Sequence, residues 1–274
     1  MSEIWCNGLW LPADPYPGAA QDRGAFLGLG LFETMSAIDG RLVFADRHLS
    51  RLRQSCDRLG WAIDLPDLND VSAEICAKNS LTTGHARIRL IVTAGSGPLN
   101  DLSAGADRLV WFAAFPAAFP PTKVTACLAP WPRNERSPLA GLKTACYAEN
   151  LIALDHARRL GYDEAIFLNT AGHLCEAATA NLFLVKNGIL LTPSLASGCL
   201  PGIGREVLLE LAAANGISCH EAILTLADLE VADEIFLISA TRGPFPVVRL
   251  DGREIEPGPV TLRLRQLWNE ITPL

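Results

Sequence analysis

Along RHLSRLRQSCDRLGW, apolar side chains return at Leu49, Leu52, Cys56 and Leu59, with arginines and other polar residues elsewhere. A return every three to four residues predicts an amphipathic helix. LNDVSAEICAKNS predicts a second helix. ARIRLIVTAGSG reads as a strand ending in a glycine turn, and RLVWFAAF as another strand. Further on, NLIALDHARRLG is a helix closed by Gly161. DEAIFLN, NLFLV and GILLT are short strands, and GIGREVLLELAAANG is a helix ended by Gly216. ADEIFLIS and FPVVRLDG are strands, and TLRLRQLWNEI is a last helix.

Strands and helices mix without regular alternation, which argues for an α+β fold or an irregular barrel over a doubly wound sheet. FPAAFPPTK, residues 115–123, carries three prolines, and proline suits neither a helix interior nor a central strand. That stretch predicts a linker over 116–123, between a small domain at 1–115 and a larger one at 124–274.

Composition narrows the function classes. At 274 residues and 49% hydrophobic, the chain can bury one large or two moderate cores. A net charge of −7 with scattered signs argues against a nucleic-acid partner. The opening MSEIWCNGLW lacks the basic-then-apolar order of a signal peptide. No apolar run reaches the roughly 18 residues of a membrane span. The eight cysteines show no zinc or thioredoxin spacing, so buried free thiols in a reducing cytoplasm are expected.

Of 23 basic side chains only four are lysine: Lys78, Lys123, Lys143 and Lys186. Three have polar or turn surroundings. Lys143 lies in SPLAGLKTACYAEN, among Leu139, Ala140, Leu142, Ala145 and Cys146. An amine snorkelling from a loop is one reading. The other is a desolvated amine, which disfavours its charge and becomes a nucleophile able to form Schiff bases. HLCEAATANLFLV sets Glu176 in an apolar stretch, where a carboxylate needs a partner. PGIGREVLLELAA opens a helix with two glycines, whose free amides suit a phosphate, although most such turns are only caps. Arg47, Arg51 and Arg53 share a helix; arginine grips phosphate well, but a solvated basic face has the same pattern. A Schiff-base lysine, a buried acid and a phosphate cradle together suggest pyridoxal 5'-phosphate.

The order and spacing of these pieces resemble the class IV aminotransferases, the fold-type IV pyridoxal phosphate enzymes. DRGAFLGLGLFETM, HLSRL, LKTACYAENLIALDHARRLGYDEAIFLN, GHLCEAATANLFLV, LLTPSL, GCLPGIGREV and ADEIFLISATRGPFPV follow in the family's order through nearly the whole chain. The resemblance implies a small N-terminal α/β sandwich and a larger, barrel-like C-terminal domain, with the cofactor between them and usually a homodimer. It implies that Lys143 carries the Schiff base, Glu176 pairs with the pyridine nitrogen, and Arg51 holds the phosphate with the amides of Ile203 and Gly204. Tyr147 would lie near the ring hydroxyl and Leu200 beneath the ring, with Ala240 or Thr241 making another phosphate contact. Two positions depart from the family's usual wording. Gly204 stands where threonine is common, and Leu29 stands between two glycines where aspartate is common.

Branched-chain aminotransferases typically read FEG where this chain has Phe32-Glu33-Thr34, and they space lysine from tyrosine by one more residue. FETM, LKTACY and the Arg242–Val247 stretch most resemble 4-amino-4-deoxychorismate lyases, which make 4-aminobenzoate for folate; Ser239 replaces their usual asparagine. D-amino-acid and amine transaminases share several of these features. Either activity takes a small amine-bearing carboxylate as substrate. Aminodeoxychorismate has two carboxylates, for which Arg242 and Arg89 are the candidate partners. Thr34, Tyr147 or a water could protonate a departing enolpyruvate. A non-catalytic binding protein keeping the fold is a third reading, against which the presence of Lys143 argues.

Overall fold

The computed structural model describes residues 2–14, 17–18, 21–117 and 120–272. The chain divides into two compact units, Met1–Phe119 with Leu142–Tyr147, and Pro120–Gly141 with Ala148–Leu274. The short segment carrying Lys143 therefore packs with the N-terminal part of the chain. The expected linker, 116–123, includes residues 118 and 119, which lie outside the described residues.

In the first unit the chain forms β1 (Glu3–Cys6), β2 (Leu9–Pro12), α1 (Arg23–Leu27), β3 (Gly30–Ile38) and β4 (Arg41–Leu42). It continues with α2 (Ala45–Leu59), α3 (Leu68–Lys78), β5 (His85–Thr93) and β6 (Val110–Pro116). The strands make one antiparallel sheet in the order β2-β1-β6-β5-β3-β4. The alternation read in ARIRLIV is real: Ala86, Ile88, Leu90 and Val92 point into a core with Leu31, Met35, Leu52, Ile75 and Phe112. Each such side chain contributes about 1.5–3 kcal/mol by leaving water. α2 ends at Gly60, whose φ of 68° is the left-handed cap that glycine adopts without strain. α3 starts on Asp67, whose carboxylate accepts from the Asn69 and Asp70 amides. Pro116 closes β6, opposite Ala86, so the strand runs into the proline-rich stretch and ends there. Leu29 packs on this core, which accounts for an apolar residue at that position.

The second unit contains β7 (Val124–Leu128), α4 (Ala148–Arg159), β8 (Glu164–Leu168), β9 (Leu174–Ala177), β10 (Asn181–Lys186) and β11 (Ile189–Pro193). α5 (Ile203–Ala214), β12 (Cys219–Ala222), α6 (Leu226–Glu230), β13 (Glu234–Ser239), β14 (Gly243–Leu250), β15 (Arg253–Glu254) and α7 (Pro259–Ile271) follow. Its sheet runs β12-β11-β10-β13-β14-β7-β8-β9, with β15 on β14. Three pairs are parallel, β11/β12, β14/β7 and β7/β8, so the sheet is mixed and the fold is α+β. β9 and β13 are buried on both faces; such strands lack polar alternation, and β7 and β9 are too short to stand out in sequence. All eight cysteines are free, and six are buried. Cys146 is exposed and Cys219 half-buried, contrary to the expectation that all would be enclosed. Both sit outside helix and sheet interiors, at a loop and a strand end.

Candidate functional site

In the first unit, β4 covers β3 only at Ala37 and Ile38, which leaves the other end of that strand edge unpaired. The segment 142–147 takes the open edge. Leu31 bridges Thr144 in antiparallel fashion. The Phe32 amide donates to the Lys143 carbonyl at 2.9 Å, and the Ala145 amide donates to the Gly30 carbonyl at 2.8 Å. This register sets Lys143 opposite Phe32, and residues directly opposite share a face. Lys143 Nζ accordingly sits 4.3 Å from the Phe32 ring centroid and 5.7 Å from that of Tyr147. The two rings meet edge to face at 5.4 Å. The lysine is half-buried. A side chain at Gly28 would strike Cys146 Sγ at 2.8 Å, and one at Gly30 would meet Ala145 at 3.3 Å, so small residues let the segment lie close.

Arg89 belongs to the same face. It pairs with Thr34 across β3 and β5, and its guanidinium carbon lies 5.2 Å from the Phe32 centroid. Its buried Nε has no hydrogen-bond partner. Burial, reinforced by Arg87, disfavours its charged form. On the opposite face of β3, Glu33 is enclosed with two residues of α2. Arg51 Nε donates to Glu33 Oε1 at 2.8 Å and Arg51 Nη2 to Oε2 at 2.5 Å. His48 Nδ1 lies 2.7 Å from Oε2. Burial alone would raise the Glu33 carboxyl, but Arg51 and His48 outweigh it and hold the group at about 2. Hydrophobic patterning alone does not single out Glu33 and His48. The available signal was a charged residue inside the apolar run GLFETM, which demands a buried counter-charge.

A second cluster lies in the second unit. Glu176 Oε1 accepts from Arg133 Nη1 at 2.6 Å, and Oε2 accepts from the Leu200 amide at 3.0 Å and Asn181 Nδ2 at 3.3 Å. Arg133 also lies 4.3 Å from the centroid of Phe167. This is the partner that the apolar setting of Glu176 required, and it comes from 43 residues away. The head of α5 has Gly202 as N-cap, which offers no side chain, so the first-turn amides of Ile203 and Gly204 have no cap there. A Cβ on Gly204 would come within 3.0 Å of the Ser239 carbonyl carbon and 3.1 Å of the Ala240 nitrogen. The helix head and the Ser239–Ala240 turn, with Thr241 beside it, thus meet backbone to backbone, and a threonine at position 204 would require that turn to give way. Arg242 is already engaged. It donates to the Glu164 carboxylate at 3.3 Å, to Thr179 Oγ1 at 2.7 Å and to the Thr179 carbonyl at 3.0 Å. Among the described residues no cluster of histidine, cysteine or carboxylate could hold a metal.

The model of the family amino-transferase class IV matches residues 30–250. The chain belongs to this family. It is an enzyme, and the family's cofactor is pyridoxal 5'-phosphate. The branched-chain-amino-acid aminotransferase of Escherichia coli is 31% identical, over 97% of this chain and 91% of the relative. The D-alanine aminotransferase of Listeria monocytogenes is 29% identical, over 91% and 89%. A crystal structure from Legionella pneumophila, provisionally named a 4-amino-4-deoxychorismate lyase, is 32% identical with a TM-score of 0.86, over 94% and 97%. Among the described residues no helix of this class IV enzyme is long and apolar enough to cross a membrane.

Proposed function

We propose that the protein is a pyridoxal phosphate-dependent lyase that cleaves 4-amino-4-deoxychorismate to 4-aminobenzoate and pyruvate, with Lys143 as its base. The observation that carries the reading is the face Lys143 shares with Thr34 and Arg89, a base, a hydroxyl and a guanidinium on neighbouring strands. Three features suit the cofactor. Lys143 is a half-buried amine against two rings. Glu176 is fixed as an anion by Arg133 and can face a protonated pyridine nitrogen. On the family resemblance, Arg51 and the uncapped first-turn amides of Ile203 and Gly204 are the candidate phosphate donors, and Leu200, Ala240 and Thr241 the remaining candidate cofactor contacts.

Bound pyridoxal phosphate supplies an aldehyde for the substrate amine and a ring that takes up electrons. Lys143 Nζ then removes the proton from the amine-bearing carbon, help worth about 10²–10⁴-fold. Arg89 holds a substrate carboxylate. The proton taken by Lys143 would be relayed through the Thr34 hydroxyl, which gives its own proton to the departing enolpyruvate and is re-protonated by the Lys143 ammonium, while Tyr147 packs against Phe32 to keep water from the lysine. The enzyme works in the cytoplasm as a homodimer.

Amino-acid transamination is the second reading. It is favoured by the engagement of Arg242 with Glu164 and Thr179, which leaves Arg89 as the carboxylate cation of the lysine face. A single-carboxylate amino acid needs no second one. The test is to incubate the holoenzyme with aminodeoxychorismate and follow 4-aminobenzoate, with D-alanine and L-leucine, each plus 2-oxoglutarate, in parallel. Formation of 4-aminobenzoate supports the lyase. Amino-group transfer without it establishes the transaminase instead.

A further inference from the structure

We propose that His48 is a positioning residue: as a neutral imidazole it holds Glu33, and through Glu33 it aims Arg51 at the cofactor's phosphate. This rests on the reading of Arg51 as a phosphate ligand. His48 is 1% exposed, yet it is not a packing residue by chemistry. Its Nδ1 faces a carboxylate oxygen at 2.7 Å, so that nitrogen must carry the hydrogen and donate it. The carboxylate it touches is the one that takes two bonds from Arg51. Glu33 is thereby held by two side chains of one helix, an imidazole one turn before the guanidinium, which share its Oε2. A carboxylate held by Arg51 alone could swing with the arginine; one tethered also to His48 cannot.

The other ring nitrogen argues for the neutral state. Nε2 is buried and has no hydrogen-bond partner. A proton there would leave a charged donor unsatisfied out of water, an expensive arrangement. The charges acting on the ring come from three segments: Glu33 of β3, Arg51 of α2 and Lys143 of the added edge. Burial lowers the imidazole's pKa most, Glu33 opposes this, and Arg51 and Lys143 add to the lowering. Acid must therefore force a second cation in beside Arg51, within the field of Lys143. Glu33 would then be drawn toward the imidazolium and Arg51 would lose its anchor.

The test uses full-length wild type, His48→Asn, His48→Leu and Arg51→Leu. Pyridoxal phosphate affinity is read by visible absorbance from pH 4.5 to 8.5, and folding by circular dichroism at each pH. Asparagine keeps a donor near the Nδ1 position but does not titrate. At pH 8, His48→Leu is expected to bind at least about tenfold more weakly, the equivalent of 1.4 kcal/mol, and His48→Asn within about threefold of wild type. The wild-type weakening as pH falls below the ordinary histidine value of 6.5 should be cut at least about threefold in His48→Asn. If His48→Leu folds and binds as wild type does, or if His48→Asn keeps the full acid limb, the proposal is wrong. Should the leucine variant not fold, the asparagine profile decides. An Arg51→Leu variant with wild-type affinity sinks the phosphate reading itself, an outcome separate from failure at His48 alone.

Discussion

Lys143 stands directly opposite Phe32, across a sheet edge that sequence-local structure left open. Its amine lies 4.3 Å from the centroid of that ring. The backbone hydrogen bond from Phe32 to Lys143 that fixes the register connects residues 111 positions apart. Held this way, the amine has little choice of direction, and an aromatic face stabilises its cationic form when it is not covalently engaged.

Loss of the amine should therefore be decisive. Lys143→Ala is expected to lower turnover at least about 10²-fold, whichever of the two reactions the enzyme performs. The wild-type holoenzyme should be yellow and bleach with borohydride, while the alanine variant should not bleach. Wild-type turnover in the variant would refute the role given to Lys143.

Glu33 should shape the acid limb of stability. Its carboxyl is held at about 2, against an ordinary 4.5. A depressed pKa means that the stabilisation is complete above the unfolded value and is lost as pH falls from about 4.5 toward 2. Denaturant unfolding of wild type over that range should show a slope that Glu33→Gln lacks. At neutral pH the glutamine variant leaves Arg51 without its anion and is expected to cost about 3–5 kcal/mol.

The two candidate arginines should fail in different ways. Arg89 makes no ion pair among the described residues, so in Arg89→Leu KM should rise about tenfold or more while the melting temperature holds. Arg242→Leu strips partners from the buried Glu164 and from Thr179. It should lower stability by about 1–3 kcal/mol, with a smaller change in KM. Equal effects on KM with unchanged melting for both would show that Arg242 reaches substrate.

Gly204→Thr restores the family's common residue but should not improve cofactor binding. Its Cβ would press on Ser239 and Ala240 at 3.0–3.1 Å, and overpacking of this kind costs typically about 1–3 kcal/mol. Weaker pyridoxal phosphate retention and a lower melting temperature are expected. Tighter binding would mean that the turn yields and a hydroxyl is useful there.

Much of this protein is legible in its sequence. α2, α3, α5 and α7 announce themselves because one face must be apolar at a period near 3.6. The strand His85–Thr93 does so through alternation. Lys143 and Glu176 stood out because charge in an apolar setting is costly, and that cost is local. What only the tertiary structure decided is who meets whom. Glu33 finds His48 and Arg51, Glu176 finds Arg133, and Arg242 is claimed by Glu164, 78 residues away. The lysine segment becomes a sheet edge although nothing in LKTACY alternates like a strand. Periodicity reports which way a residue faces along its own element; it carries no information about the distant backbone that offers an unpaired edge or the distant charge that completes a pair.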